Sequence, residues 1–191
     1  MSGARGFPVI LSSPSGGGKS TVASALLAKL PFLSRSRSCT TRAMRAGEKA
    51  GVDYDFITKE EFARIRDSGG FLEWAAVHGN EYGTPRAFIE EECRAGRLPL
   101  QVIDVQGGLQ VREARPDALL LFLMPPSLEE VEKRLKNRAT ERKEDAKLRM
   151  RNAPGEIAAA REYDYIIVND NLDHAILQAC DIIEKERKKR A

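Results

Sequence analysis

The chain has few of the side chains on which many hydrolases and metalloenzymes depend. Its 191 residues include two histidines, His78 and His174, so the chain offers few residues from which a catalytic Ser-His pair or a His-ligated metal site could be built. The three cysteines, Cys39, Cys93 and Cys180, are far apart and show neither metal-ligand spacing nor a disulfide framework. Unpaired thiols are typical of a reducing compartment.

Long apolar runs and a strong net charge are missing as well. No apolar run approaches the roughly 18 residues that a membrane-spanning helix needs, and the N-terminus lacks a signal-like apolar segment. We therefore expect a cytoplasmic protein with no membrane partner. The net charge of +3 does not point to any particular class of partner, but basic residues cluster at 35–49 and 134–151. Two basic segments in a small chain indicate two anions or one long polyanion.

The pattern of apolar residues predicts strands that alternate with helices. Strands are predicted at residues 7–11, 71–78, 98–105, 118–124 and 165–168. Helices are predicted at residues 20–30, 58–69, 85–95, 127–138 and 172–187. This alternation predicts an α/β fold with a parallel sheet core and helices on both faces. Residues 35–90 interrupt it and are expected to form an inserted lobe.

A glycine-rich segment lies between the first predicted strand and the first predicted helix. Residues 13–20 are Ser-Pro-Ser-Gly-Gly-Gly-Lys-Ser, and their glycines allow backbone N–H groups to converge on phosphate oxygens at a helix N-terminus. Lys19 is expected to reach the β- and γ-phosphates, and Ser20 to offer its hydroxyl to Mg²⁺. The P-loop pattern has glycine where this chain has Ser13, but the strand and helix on either side support the assignment.

A series of further motifs follows along the chain. They are Ser-Cys-Thr-Thr-Arg-Ala-Met-Arg-Ala-Gly-Glu at 38–48, Asp-Tyr at 53–54, Phe-Leu-Glu-Trp at 71–74, Gly-Asn-Glu-Tyr-Gly-Thr at 79–84, Ile-Asp-Val-Gln-Gly at 103–107, Arg-Leu-Lys-Asn-Arg-Ala-Thr-Glu at 134–141 and Ile-Val-Asn-Asp at 167–170. In this order and at this spacing the series resembles guanylate kinases over about residues 7–187.

The resemblance implies a P-loop NTPase three-layer fold. A parallel sheet core would carry an inserted mixed α/β lobe that binds a nucleoside monophosphate, and a short lid. The implied arrangement is one domain over residues 1–191, with the core at about 5–34, 97–135 and 155–191, the GMP-binding lobe at about 35–96 and the lid at about 136–154.

The resemblance also implies the residues that bind the acceptor, GMP. The set comprises Ser38, Arg42, Arg45, Glu48, Tyr54, Glu73, Tyr82, Gly83 and Thr84. The arginines and tyrosines match the family's phosphate contacts, and Glu48 could hold the arginines in place. Ser38, Glu73 and Thr84 match the guanine-reading positions. A carboxylate accepts both guanine donors, N1–H and the 2-amino group, whereas adenine presents an acceptor at N1. Taken singly, each residue also has an ordinary structural interpretation.

The implied donor site binds ATP with Mg²⁺ as cofactor. Its residues are Ser13, Pro14, Ser15, Gly16, Gly17, Gly18, Lys19, Ser20, Thr21, Arg134, Arg138 and Asn169. The implied catalytic residues are Lys19, Arg45, Arg138 and Arg149, and the implied metal ligands are Ser20 and Asp104. Asp104 has the alternative role of capping the helix that follows it. Val102 departs from the family, since many guanylate kinases carry an acidic residue there.

These residues together predict the reaction MgATP + GMP → ADP + GDP. Alternatives are a related kinase of a sugar phosphate such as ribose bisphosphate, a non-catalytic protein-binding module, and a nucleic-acid binder. The intact guanine-reading set disfavours the first and the retained Lys19 disfavours the second. The lack of aromatics interleaved with the basic segments disfavours the third. We expect ATP and GMP, and no nucleic acid, as partners, and the sequence leaves monomer or homo-oligomer open.

Overall fold

The computed structural model describes residues 5–14, 16–45, 47–77, 79–127, 129–130 and 143–190, and of residues 143–149 it describes the backbone. In chain order the strands are β1 (Val9–Ser12), β2 (Leu33–Arg35), β3 (Cys39–Thr40), β4 (Asp55–Phe56), β5 (Phe71–Val77), β6 (Asn80–Pro85), β7 (Leu98–Val102), β8 (Leu119–Met124) and β9 (Tyr165–Val168). The helices are α1 (Lys19–Lys29), α2 (Lys59–Asp67), α3 (Arg86–Arg94), α4 (Val105–Ala114), α5 (Lys143–Ala158) and α6 (Leu172–Lys189), with a 3₁₀ helix at Ala159–Glu162.

A five-stranded parallel sheet in the order β2-β7-β1-β8-β9 forms the centre of the molecule. Helices α1 and α6 cover one face, where Leu11 and Leu26 are fully buried. Helices α3 and α4 cover the other, where Ile10, Ile89 and Phe122 are fully buried. Strands buried on both faces have continuous apolar sequences, as β8 does. The predicted α/β fold with a parallel sheet core is confirmed.

A second sheet of four strands, in the order β4-β3-β6-β5, follows β2 in the chain. Its β5–β6 and β3–β6 pairs are antiparallel, and its β3–β4 pair is parallel. A small separate core lies beneath it, where the rings of Phe62 and Phe71 are 4.5 Å apart. This mixed sheet occupies the segment that was expected to interrupt the βα alternation.

The sequence predicted the apolar strands and most of the amphipathic helices, but it missed β2, β6, α4 and α5. Strand β6 has the sequence Asn-Glu-Tyr-Gly-Thr-Pro and helix α4 begins with Val-Gln-Gly-Gly, so neither has a clear apolar period. Helix α5 begins within a segment whose charged residues gave no helical signal. The helix predicted at 127–138 lies mostly outside the described residues, although the Glu130 N–H does donate to Ser127 Oγ at 3.2 Å.

The described part of the chain also bears on membrane crossing and on the state of the cysteines. No helix found there is long and apolar enough to cross a bilayer. Cys39, Cys93 and Cys180 are all buried free thiols.

Candidate active site

The glycine-rich loop joins the C-terminal end of β1 to the N-terminus of α1. Gly16 and Gly18 have φ values of 82° and 94°, in the left-handed region that glycine adopts without steric cost. The Gly17 N–H donates to the Pro14 carbonyl at 3.0 Å. A Cβ at Gly17 would lie 2.4 Å from Ser13 Oγ. The loop therefore depends on glycine both for its turns and for its close packing.

Lys19 is held at the base of this loop by Ser13. Its ammonium donates to the Ser13 carbonyl at 2.7 Å and to the Ser13 hydroxyl at 3.2 Å. Ser13 is buried, and its own hydroxyl donates to the Pro14 carbonyl at 2.8 Å. The departure from glycine at position 13 thus adds a side-chain contact to the lysine. Ser20 and Thr21 are exposed on the first turn of α1.

Asn169, just beyond the C-terminal end of β9, braces the same loop from the other side. Its amide Nδ2 donates to the Gly17 carbonyl at 2.9 Å, and the residue is 4% exposed. A Cβ at Gly18 would lie 2.7 Å from this nitrogen. The resemblance implied that Asn169 belongs to the ATP-binding set, and the structure puts its side chain against the backbone of the phosphate loop.

A cavity of about 220 Å³ lies beside α1 and is lined in part by Lys19, Ser20, Ser38, Tyr54 and Val102. Lys19 and Ser20 belong to the predicted donor set, whereas Ser38 and Tyr54 belong to the predicted acceptor set. The fold therefore brings residues of both sets to one cavity. Val102 is 37% exposed and gives its wall an apolar patch where an acidic residue is frequent in the family that the sequence resembles.

Arg42 is the centre of a charged cluster on the second sheet. Its two terminal nitrogens each donate to a Glu48 carboxylate oxygen at 2.8 Å, and its Nε donates to the Tyr82 hydroxyl at 3.2 Å. The hydrogen bonds between Arg42 and Glu48 raise the pKa of Arg42 and lower the pKa of Glu48 to about 2. Both groups are therefore charged at neutral pH, and the Tyr82 hydroxyl adds a third acceptor for the Arg42 guanidinium.

Two further residues of the predicted phosphate set flank this cluster. The guanidinium carbon of Arg42 lies 5.3 Å from the centre of the Tyr54 ring, which meets the Tyr82 ring edge-on at 6.1 Å. The Arg45 backbone N–H donates to Glu48 at 2.8 Å, and the Arg45 side chain is exposed. Glu48 thus fixes both the guanidinium of one arginine and the backbone of the other.

Glu73 is a buried carboxylate on β5 and begins a chain of polar side chains. The Thr84 hydroxyl donates to Glu73 Oε1 at 2.5 Å, and Ser38 Oγ lies 3.3 Å from Thr84 Oγ1. Glu73 is 5% exposed. Burial raises the pKa of Glu73 to about 7, and the charge of Asp104 adds to the rise while the hydrogen bond from Thr84 opposes it. The three predicted guanine-reading residues are therefore contiguous.

The N-terminus of α4 packs against Glu73 through two residues. Asp104 caps the helix, since its Oδ1 accepts from the Gly107 N–H at 2.8 Å. A Cβ at Gly107 would lie 2.9 Å from Glu73 Oε2, and one at Gly108 would lie 2.2 Å from the Tyr163 hydroxyl. Asp104 therefore has the capping role that the sequence left open, and it lies close enough to Glu73 to influence its ionisation.

Close packing also explains Gly83, the remaining residue of the predicted acceptor set. It pairs with Trp74 across the β5–β6 hairpin and with Cys39 on β3, and a Cβ there would lie 2.9 Å from the Phe71 ring. Gly107 was not among the predicted site residues. Its signal in the sequence is the Gly-Gly pair that directly follows Asp104-Val105-Gln106.

The side chains of four predicted site residues lie outside the described part of the chain. Ser15, Arg134 and Arg138 lie outside the described residues. The backbone of Arg149 belongs to α5, and its side chain also lies outside the described part. Their assigned roles remain predictions.

A second cavity, of about 370 Å³, is lined in part by Phe7, Phe32, Arg187 and Arg190. The guanidinium carbons of Arg187 and Arg190 lie 4.1 Å and 4.2 Å from the ring centres of Phe32 and Phe7. Its aromatic faces are therefore occupied by the protein's own cations. Its described lining includes no predicted site residue, so the cavity beside α1 is the candidate site.

The pKa of Glu73 generates a prediction about stability. The ordinary value is 4.5 and the folded value is about 7, so between these limits the folded state binds more protons than the unfolded state. Protonation of Glu73 therefore stabilises the folded state, and this stabilisation is lost as pH rises through the pKa that Glu73 has in the folded state. From about pH 5.5 to about pH 8, the unfolding free energy of the ligand-free wild type should fall by about 2 kcal/mol relative to that of Glu73→Gln.

Urea denaturation at a series of pH values measures this difference. Glu91→Gln, which alters an exposed glutamate on α3, is the matched control and should follow the wild type at every pH. A constant difference between wild type and Glu73→Gln would show that Glu73 ionises at its ordinary pKa.

Comparison with known proteins identifies the family. The family model described as guanylate kinase matches residues 5–186. The guanylate kinase of Bordetella pertussis is 46% identical over 187 residues, covering 98% of this chain and 87% of that protein. The guanylate kinase of Symbiobacterium thermophilum is 45% identical over 183 residues, covering 96% and 87%. The crystal structure of guanylate kinase from Anaplasma phagocytophilum superimposes with a TM-score of 0.80 at 36% identity, covering 97% of this chain and 88% of that one. The chain belongs to the guanylate kinase family.

Proposed function

We propose that the chain is a nucleoside monophosphate kinase that transfers the γ-phosphoryl group of ATP to GMP and releases ADP and GDP. The observation that carries this proposal is the position of Ser38. It lines the cavity that Lys19 and Ser20 also line, and it lies 3.3 Å from Thr84, which donates to the buried Glu73. A phosphate-binding loop and a base-reading set thus meet at one cavity.

The donor half of the site binds the triphosphate of ATP through backbone groups. The left-handed glycines turn the loop into the N-terminus of α1, where backbone N–H groups would bind the phosphates. Lys19, held near the loop by Ser13, adds a full positive charge to the β- and γ-phosphates. Asn169 keeps the Gly17 peptide in place and thereby sets the shape of the cradle.

The acceptor half binds the phosphate of GMP through side chains. Arg42 and Arg45 supply the positive charge, and the hydroxyls of Tyr54 and Tyr82 supply donors. Glu48 keeps the guanidinium of Arg42 in one orientation. Less side-chain entropy is then lost when the phosphate binds.

Glu73 gives the acceptor half its selectivity for guanine. Its carboxylate accepts the N1–H and 2-amino donors of the base, while the hydroxyls of Ser38 and Thr84 face the same ring. Adenine would place an unprotonated N1 against the carboxylate. Leaving a buried polar group without a partner is the means by which such sites reject an incorrect substrate.

Mg²⁺ accompanies ATP in this proposal, and two residues fit it chemically. The Ser20 hydroxyl at the start of α1 and the Asp104 carboxylate at the start of α4 are hard oxygen ligands of the kind that Mg²⁺ prefers. Phosphate oxygens and waters would complete its coordination. When held by these residues, Mg²⁺ would supply positive charge to the phosphates during transfer.

The chain's own residues perform the transfer by positioning and charge. The acceptor is a phosphate monoester that is mostly dianionic near neutral pH, since its second pKa is about 6, so no strong general base is required. Lys19 and Arg45 reduce the repulsion between two polyanions, and Arg138 and Arg149 are proposed to join them from the segment at about 136–154. Closure of the lobe at about 35–96 over the core would exclude water, which otherwise accepts the phosphoryl group.

An acceptor panel tests the proposed function directly. With MgATP fixed, ADP release is measured for GMP, AMP, UMP and ribose 1,5-bisphosphate, and the product from GMP is identified as GDP. Turnover is expected with GMP alone and should disappear in Lys19→Ala. Turnover on ribose 1,5-bisphosphate, or none on GMP by the folded protein, would overturn the proposal.

The role of Glu73 is tested by Glu73→Gln. The amide lacks the charge and one of the acceptor oxygens, so kcat/KM for GMP should fall by roughly tenfold to a hundredfold. The KM for MgATP should stay within about twofold of wild type, because Glu73 is part of the acceptor half. Glu91→Gln is the matched control, and an equal loss in the two variants would remove Glu73 from the guanine site.

A matched pair of asparagine variants tests the donor half. Asn169→Ala removes the hydrogen bond to the Gly17 carbonyl, so the KM for MgATP should rise by roughly twofold to tenfold with little change in the KM for GMP. Asn171 caps α6 by accepting from the His174 N–H at 3.1 Å. Asn171→Ala should lower the unfolding free energy by about 1 kcal/mol but leave the KM for MgATP unchanged. The same KM for MgATP in both variants would contradict the role given to Asn169.

A further inference from the structure

At Trp74 the outer edge of β5 is hydrogen-bonded to one side chain of α4. Strand β5 is the last strand of the four-stranded sheet, and within the described chain it pairs with β6 alone. The Trp74 N–H donates to Gln110 Oε1 at 3.1 Å, and Gln110 Nε2 donates to the Trp74 carbonyl at 3.0 Å. Both outward backbone groups of Trp74 are thus bonded to one carboxamide, which replaces the neighbouring strand that β5 lacks there.

This contact is adjacent to the carboxylate that reads the base. Trp74 follows Glu73 directly, and Gln110 lies one helical turn beyond Gly107, where a Cβ would lie 2.9 Å from Glu73 Oε2. Asp104, Gly107 and Gln110 are spaced three residues apart, which places them close to one face of α4. The same face of one helix therefore meets the side chain of Glu73 and the backbone of the residue after it.

We propose that Gln110 is a positioning residue for guanine recognition, which holds Glu73 where its carboxylate accepts two donors of the base at once. The inference rests on the proposed function. Two parallel hydrogen bonds require the strand to lie at one distance and angle from the helix, because each bond weakens steeply when it is misaligned. Without the Gln110 carboxamide, β5 keeps its pairing with β6 and its apolar contacts with α4, but the backbone next to Glu73 loses the two hydrogen bonds that align it with the helix.

The proposal makes a selective prediction because not every purine offers both donors. GMP presents N1–H and a 2-amino group, whereas IMP presents N1–H and lacks the 2-amino group. A displaced Glu73 can still align with one donor of the base but not with two at once. GMP then loses a hydrogen bond that IMP never makes, so GMP should be penalised more than IMP. A role limited to joining the two sheets would instead lower stability and reduce activity on both nucleotides by the same factor.

The experiment compares kcat/KM for GMP and for IMP in wild type, Gln110→Ala and Gln110→Met. The methionine variant keeps the length of the side chain without its hydrogen bonds. In both variants the ratio of GMP to IMP should fall by roughly threefold to tenfold, while the KM for MgATP stays within about twofold. Gln178→Ala, which alters an exposed glutamine on α6, is the matched control and should keep the wild-type ratio.

A double variant shows whether the effect passes through Glu73. In the Glu73→Gln background, Gln110→Ala should leave the GMP to IMP ratio unchanged, because the group that Gln110 positions is already altered. An unchanged ratio in the single variants, or an equal fall in the double variant, would overturn the inference alone. If the wild type fails to phosphorylate GMP, both the proposed function and this inference are overturned.

Discussion

A carboxylate removed from water must find donors or take up a proton, and the acceptor half of the site is arranged around one such group. Glu73 is 5% exposed and accepts a hydrogen bond from Thr84, yet burial still raises its pKa to about 7. A base with two adjacent donors would favour the charged form and offset that burial. In the proposed function, recognition of guanine and ionisation of Glu73 are therefore one linked event, and the packing of α4 and β5 holds the carboxylate in place.

The two halves of the proposed site would hold phosphate by different physical means. The donor half offers backbone groups, and its loop requires glycines because side chains at Gly17 and Gly18 would meet Ser13 and Asn169. The acceptor half offers long side chains, which need partners to keep one orientation, and Glu48 is such a partner for Arg42. A backbone cradle suits the phosphates that all nucleoside triphosphates share. Side chains suit the half that distinguishes one monophosphate from another.

Local signals in the sequence predicted much of the fold and proposed most of the site. Apolar runs located β7 and β8 because nearly every residue of both strands is buried. The same reasoning missed α4, whose Gly-Gly pair has a low helix propensity and whose helical state depends on its neighbours. It also could not reveal that Gln110 bonds to Trp74, 36 residues earlier in the chain. Contacts between residues distant in sequence depend on how the two sheets are placed, and no local pattern encodes that placement.

Gly107 and Gly108 restrict the order in which the protein can fold. Each costs about 1 kcal/mol of helix stability relative to alanine, and neither can be replaced without meeting Glu73 on one side or Tyr163 on the other. A ten-residue segment carrying both has little tendency to be helical by itself. Helix α4 is therefore expected to form only as β5 and the 3₁₀ helix come together around it. The contacts proposed to make the acceptor half selective would then be among the last to assemble as the chain folds.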